Sequence, residues 1–318
     1  MCRIFTCIVK KFLSLILIML TVTFVTFFMM HLAGSSVVEQ KLSNTGEVMP
    51  QDSLDKAKSE LGLDKPFIIQ YLSWLNRALR CDLGTSYVSG KDITPLFFHK
   101  MSVSVILCLY SLITTLVLSL TFGIISALCH NSFIDNIIRF ISFIGNSLPN
   151  FMVAILLLYL LAIKLKIFPV IPKNTGPSGF FMPALTLAVA MSSKYIRQIR
   201  TFVLEELDRD YVTGAIARGE KFYLVLWTNI MRSCMISLIP LLSVSIGDLL
   251  GGSAIIESIF MIDGAGRFAL DAIYMRDYPV ILAYVTWMSF IYAIVNFVSD
   301  IILHFIDPRF NLIITDEY

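Results

Sequence analysis

A chain of 318 residues that is 57% hydrophobic and only 15% charged cannot coat its own surface with polar groups, since a soluble domain carries about 25% charged residues. Its 25 Lys and Arg against 23 Asp and Glu leave a net charge of +2, too small for an electrostatic footprint on nucleic acid. Intrinsic disorder is excluded as well, because its signature is low hydrophobicity.

A bilayer crossing needs about 20 predominantly apolar residues. Six such runs stand in the sequence, at about 12–32, 101–128, 137–163, 180–199, 233–256 and 279–306. The first follows Arg3, Lys10 and Lys11 and precedes Ala33, Gly34 and Ser35, as a cleaved leader would. Its apolar stretch exceeds the roughly 7 to 15 residues of a leader's core, so it is expected to be a retained span.

The segment from 33 to 100 balances eight basic with eight acidic residues and reads as folded. Asp52 or Ser53 can cap a helix that runs to Leu61 and ends at Gly62. Pro66 suits the first position of a second helix, whose Phe67, Ile68, Tyr71, Leu72, Leu75 and Leu79 recur at helical spacing and which is expected to end near Gly84. Gly84, Gly90 and Lys91 superficially match a phosphate loop. However, the glycines are one residue too far apart and Asp92 stands where a hydroxyl should, so a turn is expected and no nucleotide site.

The third run carries Asn146, Ser147, Pro149 and Asn150. Pro149 lacks an N–H and frees a carbonyl one turn earlier, which predicts a kink; its polar face either lines a path or is only part of the kink. In the fifth run Gly247, Gly251, Gly252 and Ser253 leave one helix face nearly bare, suited to close packing. Asp248 beside them would cost about 2.5 to 3.5 kcal/mol facing lipid, so it must meet water or a partner group. It either lines a path or makes a structural hydrogen bond.

With the N-terminus inside, twelve Lys and Arg fall on the cytoplasmic side and thirteen outside, but eight of the thirteen lie in the long segment before residue 101. Loops of about 60 residues or more translocate largely regardless of charge. The remaining five against twelve place both termini inside.

No catalytic chemistry is legible. The six cysteines (Cys2, Cys7, Cys81, Cys108, Cys129, Cys234) and four histidines (His31, His99, His130, His304) are scattered, without zinc-ligand spacing or a serine-nucleophile elbow. Neither an intramembrane enzyme nor a metal site is expected.

The loop from about 200 to 232 is charged at its start, then small through Gly214, Ala215, Ala217 and Gly219, then aromatic. It is longer and more helix-patterned than a mere connection needs. This stretch resembles the cytoplasmic coupling loop of ATP-binding-cassette importer permeases, whose Glu-Ala-Ala-x-x-x-Gly signature inserts a short helix into the ATPase subunit. Thr213, Gly214, Ala215 and Gly219 follow Asp210, Tyr211 and Val212; the leading Glu is absent, and Ser237 stands where a Pro is expected, with Pro240 one turn on. LGLDKPFIIQYLSWL (61–75), DLGTS (82–86), IGDLLGGSAIIESIF (246–260), GAGRF, RDYPVI and DPR resemble the dipeptide, oligopeptide and nickel branch, with Asp263 where many relatives have Pro. Leu42, Ser43 and Asn44 and the wording of 246–260 look closest to nickel permease subunits.

That resemblance implies an all-α membrane protein of six transmembrane helices, in the type I importer permease architecture. The expected organisation is a cytoplasmic N-terminus and first helix (1–32), an extracytoplasmic helical segment (33–100), a five-helix core (101–306) with the coupling loop, and a cytoplasmic tail (307–318). It implies a non-catalytic subunit in the bacterial inner membrane. Its expected partners are a second homologous permease, two cytoplasmic ATPases, an extracytoplasmic binding protein and membrane lipid, but not nucleic acid. ATP is used by the partners, and no cofactor is bound here. The cargo is expected to be nickel or a small nickel chelate, the alternatives being di- or oligopeptides, or, from a different class, a passive pore or scaffold. Tyr211, Thr213, Gly214, Ala215, Arg218 and Gly219 would contact the ATPase. Asn146, Asn150, Gly247, Asp248 and Gly251 would line the path or pack on the partner permease.

Overall fold

The computed structural model describes residues 2–32, 65–171 and 176–306. The anticipated helix ending at Leu61 and the tail from 307 lie outside these residues. Among the described residues the structure is helical apart from a single isolated bridge, Thr85 to Asp92. The chain divides into two compact units, Met1–Val103 with Asp263–Ala293 and Ser104–Ile262 with Ile294–Tyr318.

In the first unit, α1 (Cys2–Leu32) contains the apolar span Lys11–Leu32, and α2 (Phe67–Leu79) lies along it. Tyr71 and Trp74 of α2 are buried with Leu282, packed against Phe27 and Met30. The Tyr71 hydroxyl pairs with Thr23 Oγ1 at 3.0 Å, so a polar tip buried against an apolar helix is satisfied. Pro66 stands one place before α2 and its carbonyl accepts from Ile69 and Gln70.

The helix stops at Leu79, earlier than expected. Cys81 turns into the left-handed region (φ 60°), and Asp82 N–H closes back on Arg77 O at 3.0 Å. This is the C-terminal stop usually written with glycine. Two other α-helices close with the same bond pattern on a residue other than glycine. Met261 (φ 57°) follows α9 (Met231–Ile259), and Arg276 (φ 54°) follows α10 (Ala265–Tyr274). Their closing bonds run from Ile262 N–H to Glu257 O and from Asp277 N–H to Ala272 O.

The turn after α2 is as anticipated: Gly84 and Gly90 take positive φ, and Ser86 N–H bonds to Lys91 O. Asp277, only 4% exposed, holds it by accepting from Ser86 Oγ at 2.5 Å and Tyr87 N–H at 3.0 Å. Asp277→Ala would leave both donors unmet in a buried place and should destabilise the protein by about 2 kcal/mol, read as a lowered thermal midpoint of the purified protein in detergent. Lys100, early in α3 (Ile93–Leu128), pairs with Asp263 and lies 5.2 Å over the Phe268 ring.

In the second unit, α6 (Pro177–Leu207) is the central element. Against it pack α4 (Phe133–Ser147), α5 (Asn150–Leu157, continued by a π-helix over Leu158–Lys164) and α9. Two short helices, α7 (Asp210–Ala217) and α8 (Phe222–Val225), lie between α6 and α9, and a π-turn over Leu226–Ile230 joins α8 to α9. The final helix, α11, spans Tyr278–Ile306.

The anticipated kink at Pro149 is a full break. The axes of α4 and α5 differ by 108°. Leu148 (ψ 132°) and Pro149 (ψ 142°) are both extended, because the proline ring pushes the preceding residue out of the helical region. The pair still makes one net crossing. Tyr110 of α3 meets Phe180 at the start of α6, with ring centroids 6.0 Å apart, and Ser126 near the end of α3 shares Asp135 with Arg200 near the end of α6. Helices α3 and α6 are thus parallel, and the chain between them must return. Ser104 of α3 meets Glu257 of α9, so α9 runs opposite to both.

Helix α4 is amphipathic in an inverted sense. It buries Asp135, Ser142 and Gly145 along with Ile138, and it exposes Phe133, Ile134, Phe140 and Ile141. An apolar exposed face over a small and polar buried one suits lipid as the surrounding solvent.

Candidate functional site

Helix α9 buries Leu249, Leu250, Ser253, Ala254, Ile256 and Glu257. On its other side, Ser237, Pro240, Val244, Asp248, Gly251 and Ile255 recur at intervals of three or four residues and are all exposed. Residues spaced this way share one helix face. Asp248 therefore stands mid-span on a face that its own unit does not cover.

The glycines sharpen the point. A Cβ added at Gly251 would meet nothing within 4 Å, so this glycine does not serve packing inside the chain. Gly252 is different, because a Cβ there would lie 3.7 Å from Asn150 Nδ2. The structure thus brings Asn150, just past the α4–α5 break, beside the bare stretch of α9. Asn146 is exposed two residues before the break, and Gly247 is half-buried.

Glu257 was not singled out from the sequence. It is fully buried and accepts from Ser104 Oγ at 2.6 Å and Ser253 Oγ at 3.0 Å on Oε1. The signal available was the one that marked Asp248, an acid inside an apolar run. Its surroundings make it a tie between the first half of α3 and the end of α9.

The second candidate feature is α7. Val212 and Ala215 are buried in a cluster with Val203, Val225, Leu226 and Ile230. Tyr211, Thr213, Arg218 and Gly219 face outward, and Gly214 is half-buried beside the Arg218 guanidinium. Ala215 was read as part of a contact surface; here it points into its own chain, and its small size lets α7 sit close on α6 and α8.

Gly219 has a backbone duty. At φ 85° it occupies a conformation disfavoured for other residues, and Glu220 N–H returns to Ala215 O at 3.2 Å. Tyr211 donates its hydroxyl to Glu206 Oε2 at 2.5 Å. Although the residue faces outward, the partial desolvation of its hydroxyl and the neighbouring Glu206 acceptor push this phenol up to about 12.

Long apolar helices, with a short helix mounted between two of them, make this a multi-pass membrane protein. The chain belongs to the family of binding-protein-dependent transport system inner membrane components, which matches residues 119–312. The N-terminal part of such membrane components matches residues 4–108. Among curated relatives, the nickel import system permease protein NikB of Staphylococcus aureus strain USA300 is 30% identical over 302 residues, covering 95% of this chain and 90% of that protein. The same protein from strain NCTC 8325 matches equally. Among solved structures, an inward-facing MetNI methionine ABC transporter superposes with a TM-score of 0.52 at 15% identity, covering 67% of this chain and 96% of the matched chain.

The fold is accordingly that of a type I ABC importer permease, and the protein is a permease subunit of a binding-protein-dependent importer in the inner membrane. Such a system includes an ATPase and a substrate-binding protein.

Proposed function

We propose that this subunit forms one side of the translocation path for nickel, as the ion or a small chelate, beside a second homologous permease. Two cytoplasmic ATPases drive the pair and an extracytoplasmic binding protein delivers the cargo. The uncovered face of α9 carries this reading, because an ionisable side chain at mid-span needs water or a partner group, and its own unit supplies no cover. Asn150, close to Gly252, adds an amide to the same stretch.

Nickel is favoured by the name and extent of the NikB relatives. Among the described residues no three His, Cys, Asp or Glu side chains converge on a metal-binding point. The subunit itself performs no catalysis.

The outward surface of α7, at Tyr211, Thr213, Gly214, Arg218 and Gly219, is the ATPase contact, with Ala215 as its anchor. ATP closure of the ATPases moves this helix, and the spans exchange access between the two sides. Reconstituted with its ATPases and binding protein, the complex should accumulate radioactive nickel only when ATP and all components are present. Uptake of labelled peptide with no uptake of nickel would move the cargo to the peptide branch.

The side that bears α7 is cytoplasmic, and both termini share it. A membrane-impermeant thiol reagent applied to whole cells, in a cysteine-free background, should label a cysteine at Ser89 and not one at Asp208. The opposite pattern would reverse the orientation and remove the ATPase from α7.

A further inference from the structure

The end of α3, the start of α4 and the last turns of α6 meet on one carboxylate. Asp135 is fully buried. It accepts from Arg200 Nε at 2.8 Å on Oδ1 and from Nη2 at 2.9 Å on Oδ2. Ser126 Oγ donates to it at 2.6 Å and Asn131 N–H at 3.0 Å. Arg139, one turn along α4, stands 3.5 Å away and also reaches Asn136.

A two-point guanidinium fork fixes orientation as well as distance. Neither helix end can slide or rotate without leaving a buried charge unmet. A second restraint acts farther along the same helix pair: Gly145 is seated so tightly that an added Cβ would collide with Ser193 Oγ. Helices α4 and α6 are therefore held together at two places. The Leu148–Pro149 break begins immediately beyond the second.

We propose that Asp135 is a positioning residue for transport. By locking α4 to α6, it makes the two helices move as one body when α7, which follows directly on α6, is displaced. The break at Leu148–Pro149 takes up that motion and shifts Asn150 along α9. The inference rests on the assignment of α7 as the ATPase contact.

Its test uses the assembled transporter, with its ATPases and binding protein, in lipid vesicles. Spin-label pairs at the exposed positions Phe140 and Lys194 report α4 against α6, and pairs at Phe140 and Tyr159 report α4 against the continuation of α5. Between nucleotide-free and ATP-trapped states, the first distance should hold within about 2 Å and the second should change by more. A first distance that changes, or a second that does not, overturns the proposal.

A paired variant, Asp135→Asn with Arg200→Gln, removes both charges and so leaves no buried ion alone. It should assemble in normal amount but lose about tenfold in cargo moved per ATP hydrolysed. Normal coupling in this variant would make the pair a packing feature only and defeat the idea. Should it fail to assemble, the label distances in the otherwise unaltered fork decide. ATP-driven uptake by the unmodified complex is measured in the same vesicles. If that uptake is absent, the functional reading fails, whereas intact uptake with α4 moving against α6 sinks this inference alone.

Discussion

Asp248→Leu should leave an inserted, assembled complex that hydrolyses ATP when the loaded binding protein is present, yet takes up cargo at least about tenfold more slowly than the parent. The side chain sits on the uncovered face of α9, and leucine keeps its approximate volume while removing the charge. If Asp248 instead bridges to the partner permease, the loss should appear as failed assembly, because the partner's polar group is then stranded in an apolar interface, at a cost of about 1 to 3 kcal/mol. Co-purification of the two permeases separates these outcomes. Unchanged assembly with unchanged uptake would remove Asp248 from both roles.

Thr213→Trp should uncouple ATP hydrolysis from uptake, with transport falling by about tenfold or more while insertion is unaffected. Thr213 lies on the outward side of α7 in ordinary helical backbone, so bulk there blocks a partner without disturbing the chain's own core. Gly219 is a poorer place for that experiment. Any bulky residue at φ 85° would strain the helix stop by about 1 to 2 kcal/mol, and the loss would be ambiguous. Gly219→Asn, which tolerates the left-handed region, should retain most of the activity. Full transport by Thr213→Trp would displace the ATPase from this surface.

The long spans were legible because an uninterrupted apolar run leaves the chain few alternatives in a bilayer. Their ends were less so. Helix α3 begins at Ile93, ahead of the apolar run, and α6 continues to Leu207 through charged residues, since helical hydrogen bonding does not stop where hydropathy does. The end of α2 was sought at Gly84, but the chain reverses at Cys81. A left-handed stop without glycine carries no compositional mark, and Met261 and Arg276 repeat the lesson.

At the site, Asp248 was visible from cost alone, as a charge where lipid would penalise it. Pro149 announced a disturbance but not its size; the extended conformations of both Leu148 and Pro149 made a break out of a kink. The inward turn of Ala215 and the pairing of Asp135 with Arg200 join positions that only the folded helices bring together. No local pattern encodes such a distant match.

The broken crossing has a consequence for biogenesis. Helix α4 is 15 residues long, and α5 with its π-helical continuation supplies 8 and 7 more. At about 1.5 Å per residue, each arm reaches only about 22 Å, short of the roughly 30 Å hydrocarbon layer. Neither arm can enter the bilayer as an independent, stable segment. Within α4 alone the Asp135 carboxylate has only Arg139, 3.5 Å away, as a charged partner. Arg200, its fork partner, is synthesised only near the end of α6, so the buried pairing is completed only once α6 has emerged. The full burial of this carboxylate is therefore a property of the packed helices and not of the arm that carries it.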